Sequence, residues 1–179
     1  RKQVDAIMTG IGTILADDPL LTPRVGRVKR LPLRVVVDTS LRVPLSAKIV
    51  GVDTLFVTTD RAQVEKLQFL ESKGAQVEIF KSRSGKVDMT IVMDYLGKKG
   101  INSMMIEAGP ELSASLIREG LVDKVVFFYA PRIIGGIDAP GMVGGSGIDK
   151  LAEAVPIKDI VVKRCGEDIM IEGYVHRDS

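Results

Sequence analysis

The sequence has little of the chemistry that metal sites and covalent catalysis need. It contains one cysteine, Cys165, and one histidine, His176, so it cannot form an internal disulfide, and a zinc site of the usual cysteine and histidine kind would lack ligands. A Cys/His or Ser/His/Asp catalytic set would depend on His176 alone. A metal site built from carboxylates stays open, but nothing in the sequence motivates one, so we expect no resident metal. The lone cysteine favours a cytoplasmic location.

Aromatic residues, excess charge and long apolar runs are also scarce. Aromatics make up 4% of the 179 residues and the formal net charge is +2, so the chain lacks the stacking platform and the basic face typical of nucleic-acid binding. No apolar run approaches the roughly 20 residues that a membrane-spanning helix needs. Hydrophobic residues nevertheless make up 45%. We expect one globular domain, 1–179, that binds a small molecule and neither nucleic acid nor membrane.

Short apolar runs alternate with helical patterns, which predicts an α/β fold around a mostly parallel sheet flanked by helices. Strands are predicted at 6–9, 33–37, 54–58, 76–80, 103–106 and 124–130, and helices at 13–16, 61–73, 89–99 and 111–119. Two more strands, 160–164 and 169–175, flank a turn-rich tetrapeptide and predict a C-terminal antiparallel hairpin. Residues 134–147 hold six glycines and predict a long loop.

The stretch 5–24, DAIMTGIGTILADDPLLTPR, is the first candidate site. Gly10-Ile11-Gly12 is predicted as a tight turn between strand and helix, where backbone N–H groups can approach a phosphate closely. A plain structural turn is the alternative. The acids and prolines of 17–24 predict a stiff loop, which either holds a site or carries only solvated charges.

Polar side chains at predicted strand ends form the other candidates. Glu107 ends a strand, Gly109 follows it, and Pro110 occupies the preferred first position of a helix, an arrangement that suits either a ligand or an ordinary sheet rim. The segments 38–40 and 58–61 follow two other strands, and Arg61 is available for the 2′-phosphate that separates NADP from NAD. Capping of the turns is the alternative for both segments.

Taken together, these segments resemble the reductase half of the bifunctional deaminase/reductase of riboflavin biosynthesis, whose fold is similar to dihydrofolate reductase. The matching stretches are DAIMTGIGTILADDPLLTPR, RVVVDTSLRVP, INSMMIEAGPELSASLIREGLVDKVVFFYAPRIIGG and GEDIMIEGYV. The resemblance implies an NADPH-dependent oxidoreductase that reduces the ribosyl group of 5-amino-6-(5-phosphoribosylamino)uracil to the ribitylamino product, and it implies a homodimer.

The resemblance also implies roles for individual residues. Thr13 and Asp17 match positions near the nicotinamide and ribose of NADPH, and Thr39 or Ser40 matches a further cofactor contact. The residues that match the positions holding the cofactor phosphates are Gly109, Pro110, Glu111, Leu112, Ser113, Ala114 and Ser115. The substrate-binding positions are Arg1, Leu21, Arg24 and Glu107, with the two arginines around the 5-phosphate. Asp17 is also the candidate catalytic residue, which handles a proton or orients the ribose.

Two departures from the family limit what the resemblance implies. The zinc signature of the deaminase half, H-x-E with P-C-x-x-C, is absent, so we do not expect deamination. The family's first strand and a substrate-facing lysine would precede Arg1, so we expect the natural chain to be longer. The alternatives are the archaeal and fungal type of reductase, which acts on the diaminopyrimidinone, and a non-catalytic nucleotide-binding module.

Overall fold

The computed structural model describes residue 1 and residues 3–23, 31–136, 139 and 141–175. The chain divides into two compact units, Arg1–Gly109 and Pro110–Ser179. Arg24 and His176, which figure in the sequence predictions, lie outside the described residues. In the described part of the chain, no helix is both long enough and apolar enough to cross a membrane.

The first unit is built on a five-stranded parallel sheet. The sheet consists of β1 (Ala6–Gly10), β2 (Leu33–Val37), β3 (Thr54–Thr58), β4 (Gln76–Ile79) and β7 (Met104–Ile106), whereas the short β5 (Ser82–Arg83) and β6 (Lys86–Val87) form a separate two-stranded hairpin in the same unit. Its helices are α1 (Ile11–Asp17), α2 (Val64–Ser72) and α3 (Met89–Lys98). The strand order is β4-β3-β2-β1-β7, with every pair parallel. The predicted parallel sheet is confirmed.

The central strands are mostly apolar, and adjacent residues such as Val35 and Val36, which face opposite sides of the sheet, are both completely buried, as expected where both faces are covered. Met8, Val35 and Phe56 are completely buried. On α3, Met89, Val92 and Leu96 are buried as their spacing predicts, and the Asp88 side chain caps the helix by accepting a hydrogen bond from the Thr90 N–H. On α2 only Leu70 is fully buried. Fewer apolar side chains of α2 are therefore fully buried than their regular spacing in the sequence predicts.

The junction of β1 and α1 differs from the predicted glycine turn. Gly10 has an extended backbone with φ −93°, and the helix begins directly at Ile11. Burial of Ile11 and Ile14 on one face of the helix explains this start. Gly12 therefore lies inside α1, and a Cβ placed on it would meet nothing within 4 Å. The tight-turn prediction for Gly10-Ile11-Gly12 is wrong.

The second unit contains α4 (Pro110–Arg118), β8 (Lys124–Tyr129), a single 3₁₀ turn (Leu151–Glu153), β9 (Ile157–Cys165) and β10 (Asp168–Val175). The three strands form an antiparallel sheet in the order β8-β10-β9. This confirms the predicted C-terminal hairpin, although β9 begins three residues earlier than predicted. β8 pairs with the hairpin and not with the parallel sheet.

Candidate functional site

The strand order marks a ligand-binding position in the first unit. From β1 the chain builds outward through β2, β3 and β4, and β7 then pairs with the other side of β1. Ligands in open α/β sheets bind at the carboxyl ends of strands where the order reverses in this way. Glu107 follows β7 directly. Its N–H donates to the Met8 carbonyl at 2.9 Å, and the Thr9 hydroxyl donates to the Glu107 carbonyl at 2.7 Å, so its backbone is fixed at this point.

The Glu107 carboxylate is held by Arg1 in a two-point ion pair. Arg1 Nε donates to Oε1 at 2.7 Å and Nη2 to Oε2 at 2.5 Å, while Nη1 donates to the Thr22 carbonyl at 2.9 Å. The side chains of Arg1 and Glu107 remain 22% and 32% exposed. Hydrogen bonding to Glu107 raises the pKa of the Arg1 guanidinium. The structure thus brings together two predicted substrate-binding residues through a bidentate contact.

The adjacent carboxylates Asp17 and Asp18 have separate environments. Asp17 ends α1 and is exposed, with no hydrogen-bond or ion-pair partner among the residues that the structure describes. Asp18 has a left-handed backbone with φ 42°. One of its carboxylate oxygens accepts from the Lys48 N–H at 2.9 Å, and the other lies 3.4 Å from Lys48 Nζ. Asp18 is therefore structural, whereas Asp17 is accessible to a ligand.

Thr13 and Leu21 differ in accessibility. Thr13 is half-buried on α1, in the turn before Asp17. Leu21, a predicted substrate-binding residue, is only 2% exposed and packs in the core cluster with Ile14 and Leu41. Its backbone is left-handed, with φ 53°. The side chain of Leu21 therefore anchors the loop that follows α1.

Thr39 and Ser40 lie in the half-buried turn after β2. The Thr39 carbonyl accepts hydrogen bonds from the Thr58 hydroxyl at 3.1 Å and the Thr59 hydroxyl at 2.8 Å, which ties the ends of β2 and β3 together. Both hydroxyl donors are completely buried. The turn is therefore rigid, and it lies at the carboxyl edge of the sheet.

Asp38, the first residue of the candidate segment 38–40, is a structural residue of this turn. It is completely buried. Its Oδ2 accepts from the Val43 N–H at 2.8 Å, and its Oδ1 has no hydrogen-bond partner among the described residues. Asp38 therefore has the turn-capping role that the sequence analysis gave as the alternative for this segment.

The predicted phosphate-binding stretch begins at Gly109, the last residue of the first unit. A Cβ on Gly109 would meet nothing within 4 Å. In the second unit, the Pro110 carbonyl accepts from the Gly144 N–H at 3.1 Å and Glu111 Oε1 accepts from the Gly145 N–H at 3.3 Å. Part of the predicted glycine-rich loop thus folds onto the first turn of α4.

Four further residues on α4, 112–115, were predicted to be near the phosphates. Ser115 donates its hydroxyl hydrogen to Glu119 Oε1 at 2.8 Å, one turn along the helix. Leu112, Ser113 and Ala114 are half-buried. Across the described part of the chain, no group of three or more histidine, cysteine, aspartate or glutamate residues is arranged to hold a metal ion.

Known proteins are similar to this chain in sequence and in fold. The chain is 37% identical over 188 residues to the 2,5-diamino-6-ribosylamino-4(3H)-pyrimidinone 5′-phosphate reductase of Archaeoglobus fulgidus, covering 99% of this chain and 82% of that protein. It is 33% identical over 178 residues to the riboflavin biosynthesis protein RibD of Actinobacillus pleuropneumoniae, covering 98% of this chain and 47% of that protein. The chain therefore spans about half the length of this RibD relative.

A solved structure shows the same architecture. Acinetobacter baumannii RibD superimposes with a TM-score of 0.79 at 26% identity, over 96% of this chain and 47% of that one. This likeness confirms the predicted fold, a mostly parallel sheet with helices and a C-terminal antiparallel hairpin, similar to dihydrofolate reductase. The sequence profile of the RibD C-terminal domain matches residues 1–171. The chain belongs to the RibD C-terminal domain family.

Proposed function

We propose that this chain is a reductase of riboflavin biosynthesis that uses NADPH to reduce the ribosyl group of 5-amino-6-(5-phosphoribosylamino)uracil to the ribitylamino product. The observation that carries the proposal is the Glu107 carboxylate, held by Arg1 at the reversal point of the sheet. The names of the relatives support the same reaction class, since they include reductases of a ribosylaminopyrimidinone phosphate.

On the substrate side, the pair of Glu107 and Arg1 offers both an acceptor and a cation. Each carboxylate oxygen accepts a hydrogen bond from Arg1, and a carboxylate is the kind of acceptor that suits the amino and ring N–H donors of a pyrimidine. The Arg1 side chain is only 22% exposed, and its hydrogen bonds to Glu107 raise the pKa of the guanidinium, which favours the charged form. In this proposal Arg1 orients Glu107, and together with Arg24 it attracts the substrate phosphate.

The residues present fit a nicotinamide dinucleotide. The resemblance assigns the cofactor phosphates to Gly109 and to the start of α4, through Ser115, and a Cβ added to Gly109 would meet nothing within 4 Å. Thr13, Thr39 and Ser40 would bind through hydroxyl groups. When bound, the reduced nicotinamide supplies a hydride.

Asp17 is the proposed proton-handling or ribose-orienting residue. Its exposed carboxylate has no partner among the described residues, so a ligand hydroxyl can bind to it. Asp17→Asn is expected to lower kcat, with fold and stability unchanged because the side chain makes no described contact. Full turnover by a folded Asp17→Asn variant would disprove the role.

The proposal is tested by following oxidation of NADPH with each of the two candidate pyrimidines. Glu107→Gln keeps the shape of the side chain but removes its charge, and we expect kcat/KM to fall about 10- to 100-fold, as for loss of a charge-assisted hydrogen bond. Glu71→Gln, an exposed carboxylate on α2, is the matched control. Equal activities of Glu107→Gln and Glu71→Gln would contradict the site.

A second candidate substrate is the diaminopyrimidinone, favoured by the archaeal relatives at 37% and 38% identity. A higher kcat/KM on that compound than on the uracil would assign the archaeal type of reaction. Binding of NADPH without turnover of either pyrimidine would instead indicate a nucleotide-binding module.

We also infer a homodimer and a cytoplasmic location. The antiparallel sheet of the second unit exposes large apolar side chains, namely Val126, Phe128, Tyr129, Ile160, Val162 and Ile169. Such residues favour a protein interface, and a second copy is the partner that the resemblance implies. Sedimentation velocity is expected to give a dimer that Val162→Lys weakens, and a wild-type monomer would refute the inference.

A further inference from the structure

Leu41, in the turn after β2, combines a buried side chain with a strained backbone. Its side chain is only 1% exposed, and its backbone is left-handed, with φ 48°. In that conformation the Cβ of an L-residue lies too close to the following carbonyl oxygen, so bulky residues rarely adopt it. Among the described residues, Leu41 and Leu21 are the only ones with an apolar side chain and a positive φ. Strain of this kind persists only where the surroundings impose it, and it is typical of functional sites.

Two hydrogen bonds and a buried side chain impose this backbone on Leu41. The Leu41 N–H donates to the Asp38 carbonyl at 3.1 Å, and the Val43 N–H donates to the Asp38 carboxylate at 2.8 Å. The side chains of Leu41 and Val43 both pack in the buried core cluster. Arg42, which lies between them, is exposed. The turn is therefore held at Leu41 by contacts on both sides of it.

The first half of the same turn has a fixed backbone and two available hydroxyl groups. The Thr39 carbonyl accepts from the Thr59 N–H at 3.2 Å, in addition to the two threonine hydroxyls described above, and the Asp38 N–H donates to the Val57 carbonyl at 2.9 Å. The hydroxyls of Thr39 and Ser40 form no hydrogen bond within the described residues, and both side chains are half-buried. A ligand would meet these hydroxyls already in place, as a preorganised site requires.

We propose that Leu41 is a positioning residue of the cofactor site, which fixes the direction of the Thr39 and Ser40 hydroxyls toward the dinucleotide. The inference rests on the proposed function, in which those two hydroxyls bind the cofactor. Leu41 is itself buried, so it acts through the backbone of the turn and not by touching the ligand. If the turn left this conformation for part of the time, the apparent affinity for the cofactor would fall by the fraction of protein that remains competent.

Leu21 holds the loop after α1 in the same way. It is 2% exposed, its φ is 53°, and it packs in the same core cluster as Leu41. Asp18, which begins that loop and is also left-handed, accepts a hydrogen bond from the Lys48 N–H, in the segment that follows the turn of Leu41. Two loops that carry proposed ligand contacts are thus each strained at a buried leucine, which favours a functional origin of the strain.

The test compares two substitutions that keep an apolar side chain of similar volume at position 41. Leu41→Ile adds a branch at Cβ, which strongly disfavours the left-handed backbone, whereas Leu41→Met has no such branch. Both are expected to lower the stability only slightly. NADPH binding, measured by calorimetry, is expected to weaken about 10-fold in Leu41→Ile, as the cost of the disfavoured backbone implies. Leu41→Met should bind NADPH as the wild type does.

Leu70→Ile is the matched control for the change of side chain. Leu70 is a completely buried leucine of the same core cluster, but it lies in the helix α2. We expect its substitution to leave the NADPH affinity unchanged. Steady-state kinetics of Leu41→Ile should give a higher KM for NADPH, with kcat retained at saturating NADPH, because Leu41 does not touch the reacting atoms. A lower kcat with an unchanged KM would indicate only a loss of folded protein and would contradict the inference.

Leu41→Gly separates the backbone conformation from the side chain. Glycine adopts the left-handed conformation readily, but this variant loses the buried side chain, so its Tm should fall further than that of Leu41→Ile. Its NADPH affinity should nevertheless be higher than that of Leu41→Ile. A leucine with a purely structural role would instead give affinities that follow the Tm values.

The remaining outcomes separate this inference from the proposed function. Equal NADPH affinities of Leu41→Ile and Leu41→Met, or weaker binding by Leu41→Gly than by Leu41→Ile, would overturn the inference alone. A change confined to the KM of the pyrimidine would also overturn it, since the turn would then serve the substrate. If the wild type and the variants bind NADPH in the expected order but the wild type reduces neither pyrimidine, the proposed reductase function fails and this inference stands. A wild type that does not bind NADPH would overturn both.

Discussion

Replacing Asp38 tests whether its buried carboxylate holds the turn after β2. Asp38→Ala removes the 2.8 Å hydrogen bond from the Val43 N–H, and both residues are completely buried, so water cannot replace the lost acceptor. Such a bond to a charged group is worth roughly 1.5–3 kcal/mol. Because the other oxygen, Oδ1, has no described partner, its removal offsets part of the loss. We expect a net destabilisation of about 2 kcal/mol.

Urea unfolding followed by far-UV circular dichroism measures this effect in a chain that has no tryptophan. Asp88→Ala is the control, since Asp88 Oδ1 also accepts from a backbone N–H, that of Thr90 at 3.0 Å, but is only half-buried. Loss of that helix cap should cost about 1 kcal/mol. Asp38→Asn, which keeps an acceptor, should be milder than Asp38→Ala. A destabilisation by Asp38→Ala no larger than that by Asp88→Ala would refute the reasoning.

Three further outcomes are expected. Gly173→Ala should destabilise the protein by about 1–3 kcal/mol, because the added Cβ would lie 2.4 Å from Ile157 Cγ2. Gly12→Ala should instead stabilise the protein by up to roughly 1 kcal/mol, because the space around Gly12 inside α1 is open. Equal effects of the two substitutions in thermal melts would contradict both placements. Hydrogen bonds from Lys124 and Lys163 lower the pKa of the Glu172 carboxyl. The contribution of Glu172 to the stability of the folded protein is therefore present above about pH 4.3, the ordinary pKa of a glutamate. It is lost as the pH falls through the lower pKa that Glu172 has in the folded state. Acid titration of Glu172→Gln should therefore show a shallower loss of stability, and an identical curve would be evidence against the network. Arg1→Gln should reduce kcat/KM while costing less than about 1 kcal/mol in urea unfolding, since the pair is partly solvated; a larger stability loss would make Arg1 mainly structural.

The order of strands and helices could be predicted because their signals are local. Buried runs such as 33–37 and 54–58 and the α3 stripe of Met89, Val92 and Leu96 each record the environment of their own segment, and the structure confirms them. The β1–α1 junction was mispredicted for the same reason. Two glycines close together are typical of a turn, but here the helix begins directly after the strand, because Ile11 and Ile14 are buried on one face of it.

Local patterns could not show which side chains meet across the sheet. Glu107 and Asp17 were chosen as site residues from motifs, yet the bidentate contact of Arg1 with Glu107 joins residues 106 positions apart. The separate roles of Asp17 and Asp18 were equally invisible, because adjacent aspartates look alike until Lys48 pairs with one of them.

The sequence by itself determined the family, the alternation of strands and helices, and the polar residues that end the strands, because each of these is written in consecutive residues. The tertiary structure alone decided that β7 pairs beside β1, that Arg1 holds Glu107, and that Leu41 is buried with a left-handed backbone. Those features depend on strand order and on burial, and both are set by packing between segments far apart in the chain.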